Sequence, residues 1–397
     1  MPKLTLPYAP IVYANNYNIT YNEEDLKKIA TTTYEGPTGI SHQLNEFMQT
    51  PNRWIQFLLG IAGEQKINDL TPKSTAIKKI LASLGIIVST PVVLPFALIS
   101  IPTAALKQSN LPPLRYVSPK NLAFPTYDPN LRPLHVKHFN TGFGPGYKRK
   151  ADALETAKIS AKVYLDWFSE HKTHQLDNKL PDLIFFQELF DINSKEMICQ
   201  GLKDEYPYQI HSVAPHIFNM DSGQVILSKF PIVECAFSTI KIVAPDNITA
   251  PRVILMIRIA TKNAGNAIIE LYNLHTTPLL SEQRCKYRAD NINQFFTFAY
   301  ERAVNHYAKN NTPLWQIAVG DLNLHFLYTP FNKRLPFDHQ EAQLYKSIEA
   351  RAEIVPYSKT QNDNFLECDR ILTGVKDLTS PPGTWIYGPK TSLSSQS

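Results

Sequence analysis

The sequence lacks paired cysteines. Its four cysteines lie far apart, and none forms a Cys-x-x-Cys pair. This distribution does not have the ligand spacing of a zinc site, and it argues against a disulfide framework. We therefore expect free thiols and a reducing, cytoplasmic-side compartment. The cysteines are Cys199, Cys235, Cys285 and Cys368.

The beginning of the sequence has no apolar stretch of the kind that an ordinary secretory signal peptide needs. Internal repeats are also missing. What is present is a chain of 397 residues, of which 43% are hydrophobic and 19% charged, and these are globular values. A chain of this length can bury one large core and still carry a smaller second unit.

The sequence has no large excess of charge of either sign, and its net charge is only +5. A mildly basic chain fits an anionic partner such as phospholipid headgroups or nucleic acid, and the charge does not separate these two. A soluble protein with slightly more lysine fits equally well.

One long stretch has no charged residue at all, namely residues 80–106. Its length would suffice for a spanning helix, but three prolines within it would break or kink such a helix. Two short helices that dip into one leaflet fit better, and we expect membrane association. The alternative is a buried helical hairpin in a soluble domain. The internal prolines and the flanking lysines are Pro91, Pro95, Pro102, Lys78, Lys79 and Lys107.

Residues 107–133 form a proline-rich connection, where we place a domain boundary. The interpretation is an N-terminal helical region over residues 1–130 and an α/β domain over residues 131–397. Predicted helices cover 22–29, 151–168 and 287–305, and predicted strands cover 134–139, 181–190, 223–227, 253–259, 267–272 and 315–319. Residues from Ser347 onward are expected to be irregular.

Polar residues follow four of these apolar runs. Residues two apart in a strand share a face, so Asp321 and Asn323 are expected to project to the same side. Each polar residue taken singly is typical of a turn. Four such strand ends in one chain predict a site where neighbouring strands end together. The polar residues are Asn140, Gln187, Glu188, Asn273, His275, Asp321 and Asn323.

The order Asn, Gln-Glu, Asn/His and Gly-Asp-x-Asn resembles the endonuclease/exonuclease/phosphatase superfamily. Within it, the neutral sphingomyelinases are most similar, particularly the membrane-bound mammalian type. Phe185-Phe-Gln-Glu-Leu-Phe-Asp191 resembles their Leu-Gln-Glu-Val-Phe-Asp signature, and Ser228-Lys-Phe-Pro-Ile232 resembles their Ser-Arg-Tyr-Pro-Ile segment. The resemblance implies a two-sheet β-sandwich flanked by helices, with an N-terminal helical region that is partly embedded in the membrane.

The resemblance also implies an activity, the Mg²⁺-dependent hydrolysis of sphingomyelin, or a related phospholipid, to ceramide and phosphocholine at a membrane surface. Glu188 would be the principal Mg²⁺ ligand, with Asn140 beside it. Asp321 would position or activate the attacking water, and Asn323 would hold a phosphate oxygen. The implied partners are membrane phospholipids, namely sphingomyelin and anionic lipids. Nucleic acid is not favoured, and the sequence does not give an oligomeric state.

The sequence departs from the family in two places. Where related enzymes have His-Leu-His, this chain has Asn273-Leu-His275, so we expect Asn273 to hold the phosphate and His275 to be the nearest imidazole. The family's terminal Ser-Asp-His segment does not appear, and Cys368-Asp369-Arg370-Ile371 stands in only for the strand before it. A truncated homologue, a degenerate homologue and a rebuilt catalytic base, with His275 as the candidate, all fit.

Three functional alternatives accompany this interpretation. A nuclease and a phosphoinositide phosphatase can share the fold, because a fold does not fix a substrate. A catalytically impaired membrane-binding homologue would explain the missing histidine.

Membrane-bound relatives also carry a switching Asp/Lys pair, for which Asp246 and Arg252 are the counterparts here, although an ordinary polar loop fits these residues as well.

Overall fold

The computed structural model describes residues 18–31, 80–81, 83–91, 94–95, 113–119, 126–128, 134, 136–141, 165, 180–190, 192–214, 221–240, 251–262, 268–277, 282–310, 314–323, 343–344, 346–348, 351–355 and 369–375. The longer helices are α1 (Glu23–Ala30), α2 (Ile192–Gly201) and α3 (Glu282–Asn310). The strands are β1 (Asn18–Asn22), β2 (Arg115–Val117), β3 (Val136–Asn140), β4 (Leu183–Gln187), β5 (Tyr208–His211), β6 (Val225–Ser228), β7 (Ile232–Thr239), β8 (Val253–Ile259), β9 (Ile268–His275), β10 (Leu314–Asp321), β11 (Ala352–Val355) and β12 (Asp369–Val375).

The strands form two mixed sheets. The larger sheet has the order β1-β7-β8-β9-β10-β12-β11, and the smaller has the order β2-β5-β6-β4-β3. Within them, β9 pairs with β10 and β3 pairs with β4 in parallel, whereas the other pairs of neighbouring strands are antiparallel. Parallel neighbours bring like strand ends to one edge, so this topology places the ends of β3 and β4, and of β9 and β10, together.

Three apolar layers hold the two sheets and their helices together. The central layer joins inward side chains of both sheets, such as Phe185 on β4 and Leu255 on β8. A second layer packs α3 against the larger sheet, and a third packs α2 against the smaller one. Alternate residues of each strand therefore face different layers. The described elements form the predicted two-sheet sandwich flanked by helices.

Several predicted elements are confirmed with close bounds. Strand β8 covers Val253–Ile259, as predicted from its apolar run. Helix α1 begins with a capping box in which the Asn22 side chain accepts from the Asp25 backbone N–H at 3.0 Å. The helix predicted over 287–305 is longer at both ends. The helix predicted over 151–168 lies outside the described residues, except for Leu165.

Two strands from the N-terminal region are built into the sheets. Strand β1 pairs with β7 at one edge of the larger sheet, and β2 pairs with β5 at one edge of the smaller sheet. The predicted boundary near residue 131 therefore does not separate these strands from the sheets of the α/β domain. They were missed because each is short and its sequence alone does not name a partner.

The prediction of irregular structure after Ser347 is wrong. Strand β12 pairs antiparallel with β10, and β11 pairs with β12 at the sheet edge. In this register the backbone of Asp369 lies opposite Asp321. Asp369, Arg370 and Ile371, which the sequence indicated as a strand, thus lie in β12.

Part of the uncharged stretch is described, and residues 83–91 are helical. Three of its large apolar side chains, those of Leu84, Ile87 and Val88, are exposed, with Ile87 at 67% and Val88 at 75%, and Ile86 is half-buried. No helix in the described part of the chain is long and apolar enough to cross a membrane. The described part of the stretch is therefore mostly exposed, and residues 82, 92–93 and 96–106, on which the buried-hairpin alternative also depends, lie outside the described residues.

Candidate active site

The predicted site residues lie where β3, β4, β9 and β10 end. Asn140 is the last residue of β3, Glu188 directly follows β4, and Asp321 is the last residue of β10. The Asn140 amide donates a hydrogen bond from Nδ2 to Asp321 Oδ2 at 2.6 Å. This bond joins the smaller sheet to the larger one at the site.

Glu188 sits in an unusual backbone conformation, with φ of 57°. A non-glycine residue in the left-handed region costs free energy and persists only where its surroundings hold it. Before it, the Gln187 carbonyl accepts from the Thr141 backbone N–H at 3.0 Å and from its hydroxyl at 3.1 Å. After it, the Leu189 N–H donates to the Gly223 carbonyl at 2.9 Å. The turn that presents the carboxylate is thus held on both sides.

The electrostatic surroundings keep Glu188 ionised. Burial alone would raise the pKa of this carboxyl, but the imidazole of His275, the guanidinium of Arg252 and the amide of Asn140 outweigh burial and lower the pKa to about 2. The side chain retains 15% exposure. It is therefore an anionic oxygen donor that solvent can reach.

His275 lies between Glu188 and Arg252. Its Nε2 is 3.3 Å from Glu188 Oε1, and its Nδ1 contacts a guanidinium nitrogen of Arg252. A guanidinium can only donate, so Nδ1 is the accepting nitrogen and a neutral ring carries its proton on Nε2. In that tautomer Nε2 has no lone pair with which to take a proton from water. The arrangement suits donation by His275 better than general-base work.

Asp321 and Asn323 form a tight turn at the end of β10. The Asn323 backbone N–H donates to Asp321 Oδ1 at 2.7 Å, and its side-chain Nδ2 donates to the Thr276 carbonyl at 3.1 Å. Asn323 has φ of 48°, a conformation that asparagine tolerates. Both carboxylate oxygens of Asp321 accept a bond from the site, so its orientation is fixed. Leu322 is buried in the α3 layer, as predicted.

Asn273 lies near the end of β9, as predicted, but its side chain points into the protein. It is fully buried, its Oδ1 accepts from Gln187 Nε2 at 2.6 Å, and its Nδ2 donates to the Phe186 carbonyl at 3.1 Å. Both the oxygen and the nitrogen of the side-chain amide form hydrogen bonds to buried protein groups. This geometry favours a structural role, in which Asn273 connects the two sheets. A direct phosphate contact by Asn273, as the resemblance implies, is not what the geometry suggests.

The residues fit a magnesium ion by their chemistry. Glu188 supplies an ionised carboxylate, and the side-chain amide of Asn140 lies beside it. Mg²⁺ commonly takes one or two carboxylates, with water and substrate phosphate completing its ligands. No set of three His, Cys, Asp or Glu side chains gathers as a metal cluster in the described residues. A site with one carboxylate does not need such a cluster.

Gly320, just before Asp321, is required by close packing. It has φ of 146°, and a Cβ atom there would lie 1.9 Å from the Leu274 carbonyl oxygen of the neighbouring strand. Leu274 separates Asn273 from His275, so any shift of β9 would disturb both residues. The Gly-Asp pair thus reflects a steric need as well as a chemical one.

We expect Gly320→Ala to destabilise the protein by at least about 1–3 kcal/mol, because an alanine there is strained and collides with backbone. Chemical denaturation would measure the change in unfolding free energy. The control is Gly201→Ala, whose Cβ would meet only the end of the Leu165 side chain, which can move. Equal effects of the two substitutions would contradict this assignment.

The site also contains residues that the motifs did not assign to it. Arg252 was considered only as one half of a switching pair, and its predicted partner Asp246 lies outside the described residues. Arg252 is instead buried against His275. Gln224 donates to the Asn273 carbonyl at 3.3 Å and supports β9. The sequence signal for Arg252 was its position directly before an apolar strand, where an arginine is unexpected.

No family model matches the sequence, and no curated protein matches it. Among solved structures, a β-hairpin deletion mutant of β toxin from Staphylococcus aureus is 18% identical with a TM-score of 0.42, over 65% of this chain and 96% of the toxin chain. A full β toxin mutant, with bound magnesium ions, is 18% identical over 63% and 86% of the chains, with a TM-score of 0.42. Sphingomyelinase C from Streptomyces griseocarneus is 15% identical over 60% and 82%, with a TM-score of 0.40. At these identities the likeness is one of fold alone, and at TM-scores below 0.5 it does not establish a family for this chain.

Proposed function

We propose that this protein is a Mg²⁺-dependent phosphodiesterase that hydrolyses sphingomyelin, or a related phospholipid, to ceramide and phosphocholine at a membrane surface. The observation that supports it most is the meeting of Glu188, Asn140 and Asp321 at one edge of the two sheets, joined by the bond between Asn140 and Asp321. An ionised carboxylate and an amide can hold a metal ion, and a second, oriented carboxylate can position water for hydrolysis of a phosphodiester.

Each residue has a defined task in this reaction. Glu188 and Asn140 would hold Mg²⁺, which neutralises charge on the phosphodiester when bound. Asp321, fixed by bonds to both of its oxygens, positions the attacking water. Water adds to phosphorus and gives up one proton, the bond from phosphorus to the ceramide oxygen breaks, and that oxygen takes up one proton, so that protons balance overall. His275 supplies an N–H at Nε2 toward the same side.

The membrane half of the proposal is supported by the exposed helical segment over residues 83–91 and the lysines that flank the uncharged stretch. Exposed apolar side chains favour burial among lipid chains, and lysines favour anionic headgroups. The exposed large apolar residues of this segment and its neighbours are Ile80, Leu81, Leu84, Ile87, Val88 and Leu94.

Replacing Ile87 and Val88 together with serine is expected to weaken binding to anionic vesicles at least about tenfold, because burying each such side chain is worth roughly 1.5–3 kcal/mol. Vesicle sedimentation would measure the loss. Both residues are exposed, so folding should not change. The control is Tyr307→Ser, which removes an exposed apolar side chain of 63% exposure from α3. If the double variant sedimented with vesicles as the wild type does, the proposal that this segment binds membranes would be wrong.

The activity is tested by the release of phosphocholine from liposomes of sphingomyelin and anionic lipid, with Mg²⁺ or with a chelator. We expect release only with Mg²⁺. Parallel assays with plasmid DNA and phosphoinositides examine the nuclease and phosphatase alternatives. Plasmid nicking without phosphocholine release would contradict the proposal and favour a nuclease.

A catalytically impaired homologue is the second candidate, and the contact of Arg252 with His275 favours it, since it hinders His275 from acting as the base that the family's terminal histidine supplies. General-base help is typically worth about 10²–10⁴-fold. Slow release that does not depend on His275 would support this candidate. Loss of release by orders of magnitude in His275→Ala would support a rebuilt site instead.

A further inference from the structure

A buried ion pair outside the site lies behind the turn that carries Glu188. Lys195 is in the first turn of α2 and is 1% exposed, and its ammonium contacts Asp221 Oδ2 in the loop before β6. Burying two charges is costly unless further hydrogen bonds support them. The proposed reaction does not use either residue, so the pair needs another explanation.

The second oxygen of Asp221 connects this pair to the site. Asp221 Oδ1 accepts from the Gly223 backbone N–H at 2.8 Å. Gly223 has φ of 67°, and a Cβ atom there would lie 2.7 Å from the Phe190 ring, so only glycine fits without a shift. The Gly223 carbonyl then accepts from the Leu189 N–H at 2.9 Å. Leu189 is the residue after Glu188.

These contacts close a ring. From Glu188 the chain runs through Leu189 into α2 and reaches Lys195, and from Lys195 the contacts return through Asp221 and Gly223 to Leu189. We infer that Lys195 and Asp221 are positioning residues, which hold the left-handed turn of Glu188 in the geometry that binds a divalent cation. The inference rests on the metal role of Glu188 in the proposed function.

The ring explains why a strained turn persists at this point. A carboxylate on a flexible loop would adopt many orientations, and the loss of that conformational entropy would weaken binding of the ion. A turn fixed before binding avoids that loss, and groups that support metal ligands in this way typically change metal affinity by about 10–100-fold when they are replaced.

The test compares two double variants of the full chain. Lys195→Met with Asp221→Ala removes both charges and the acceptor for Gly223, so no lone buried charge is left. The matched control is Arg115→Met with Glu196→Ala, since that ion pair, with a distance of 2.5 Å, also starts from α2 but leads to β2. If the first variant does not fold, Lys195→Met with Asp221→Asn, which likewise leaves no lone buried charge, is compared with Arg115→Met with Glu196→Gln.

Two measurements are made on each protein, amide hydrogen exchange over residues 187–190 and Mg²⁺ affinity by titration calorimetry. We expect the Lys195/Asp221 variant to exchange faster there and to bind Mg²⁺ about tenfold or more weakly, with the control unchanged in both. Unchanged exchange would overturn the inference whatever happens to the metal. Faster exchange with unchanged Mg²⁺ affinity would also overturn it.

The same experiment separates this inference from the proposed function. If the wild-type protein itself does not bind Mg²⁺, the metal role of Glu188 fails, and positioning for a metal fails with it. If the wild-type protein binds Mg²⁺ but releases no phosphocholine, only the proposed reaction fails, and the ring is still judged by exchange and affinity.

Discussion

Replacing Glu188 with glutamine is expected to abolish Mg²⁺-dependent release of phosphocholine while leaving the fold intact. Glutamine has nearly the same shape, but it removes the ionised oxygen whose pKa of about 2 marks it as the anionic centre of the site. Loss of one preorganised electrostatic group typically lowers turnover by about 10²–10³-fold, and a metal ligand should reach at least that range. Initial rates on mixed liposomes, with Mg²⁺ varied, would measure it.

The matched control for this prediction is Glu196→Gln. It makes the same chemical change on α2, at a carboxylate of 12% exposure paired with Arg115 rather than with the site. Thermal unfolding of both variants shows whether each is folded. If Glu188→Gln retained wild-type turnover, Glu188 would be structural and the site would lie elsewhere.

The central strands were predictable because their apolar runs are local signals. The run Val253–Ile259 is buried on both faces in the structure, so its sequence is almost continuously hydrophobic. Edge strands lack that signal. Strand β1 reads Asn-Ile-Thr-Tyr-Asn with alternate exposure, and only its pairing with β7, far along the chain, makes it a strand.

The positions of the candidate site residues were predictable for a similar reason, and their contacts were not. A polar residue at the end of an apolar run can be read from the sequence, as for Asp321. Which groups its neighbours bond depends on two sheets packing face to face. Asn273 shows this: it lies at the predicted edge, yet its amide bonds Gln187 and Phe186 of the other sheet.

A cluster of buried charges lies on the face of the larger sheet that packs against α3, and the local sequence does not predict it. Glu270 on β9 is fully buried, and its Oε1 accepts from Arg258 Nη2 at 2.7 Å and from Arg302 Nη2 at 2.8 Å. Its Oε2 accepts from the Tyr272 hydroxyl at 2.5 Å and from Gln316 Nε2 at 2.9 Å. One carboxylate thus joins β8, β9, β10 and α3.

Substituting Glu270 with glutamine is expected to destabilise the protein by about 3–5 kcal/mol, since removing one partner of a buried ion pair leaves the other charges uncompensated. Here Arg258 and Arg302 would share the carboxylate of Glu234, which Arg258 contacts at 2.6 Å. Urea denaturation would measure the change, with Glu24→Gln, at an exposed helix pair with Lys28, as the control that should change little.

The effect should also depend on pH. Burial would raise the pKa of Glu270, but Arg302 and Arg258 outweigh it and hold the pKa below the usual carboxyl value. A depressed pKa means that Glu270 contributes its full stability above the pKa of the unfolded chain, about 4.3, and loses it as the pH falls through the folded value. The difference in stability between wild type and Glu270→Gln should therefore be largest near neutral pH and narrow in acid. A difference that stayed constant from neutral to acid pH would mean that packing of the side chain, and not its charge, holds β9 to α3.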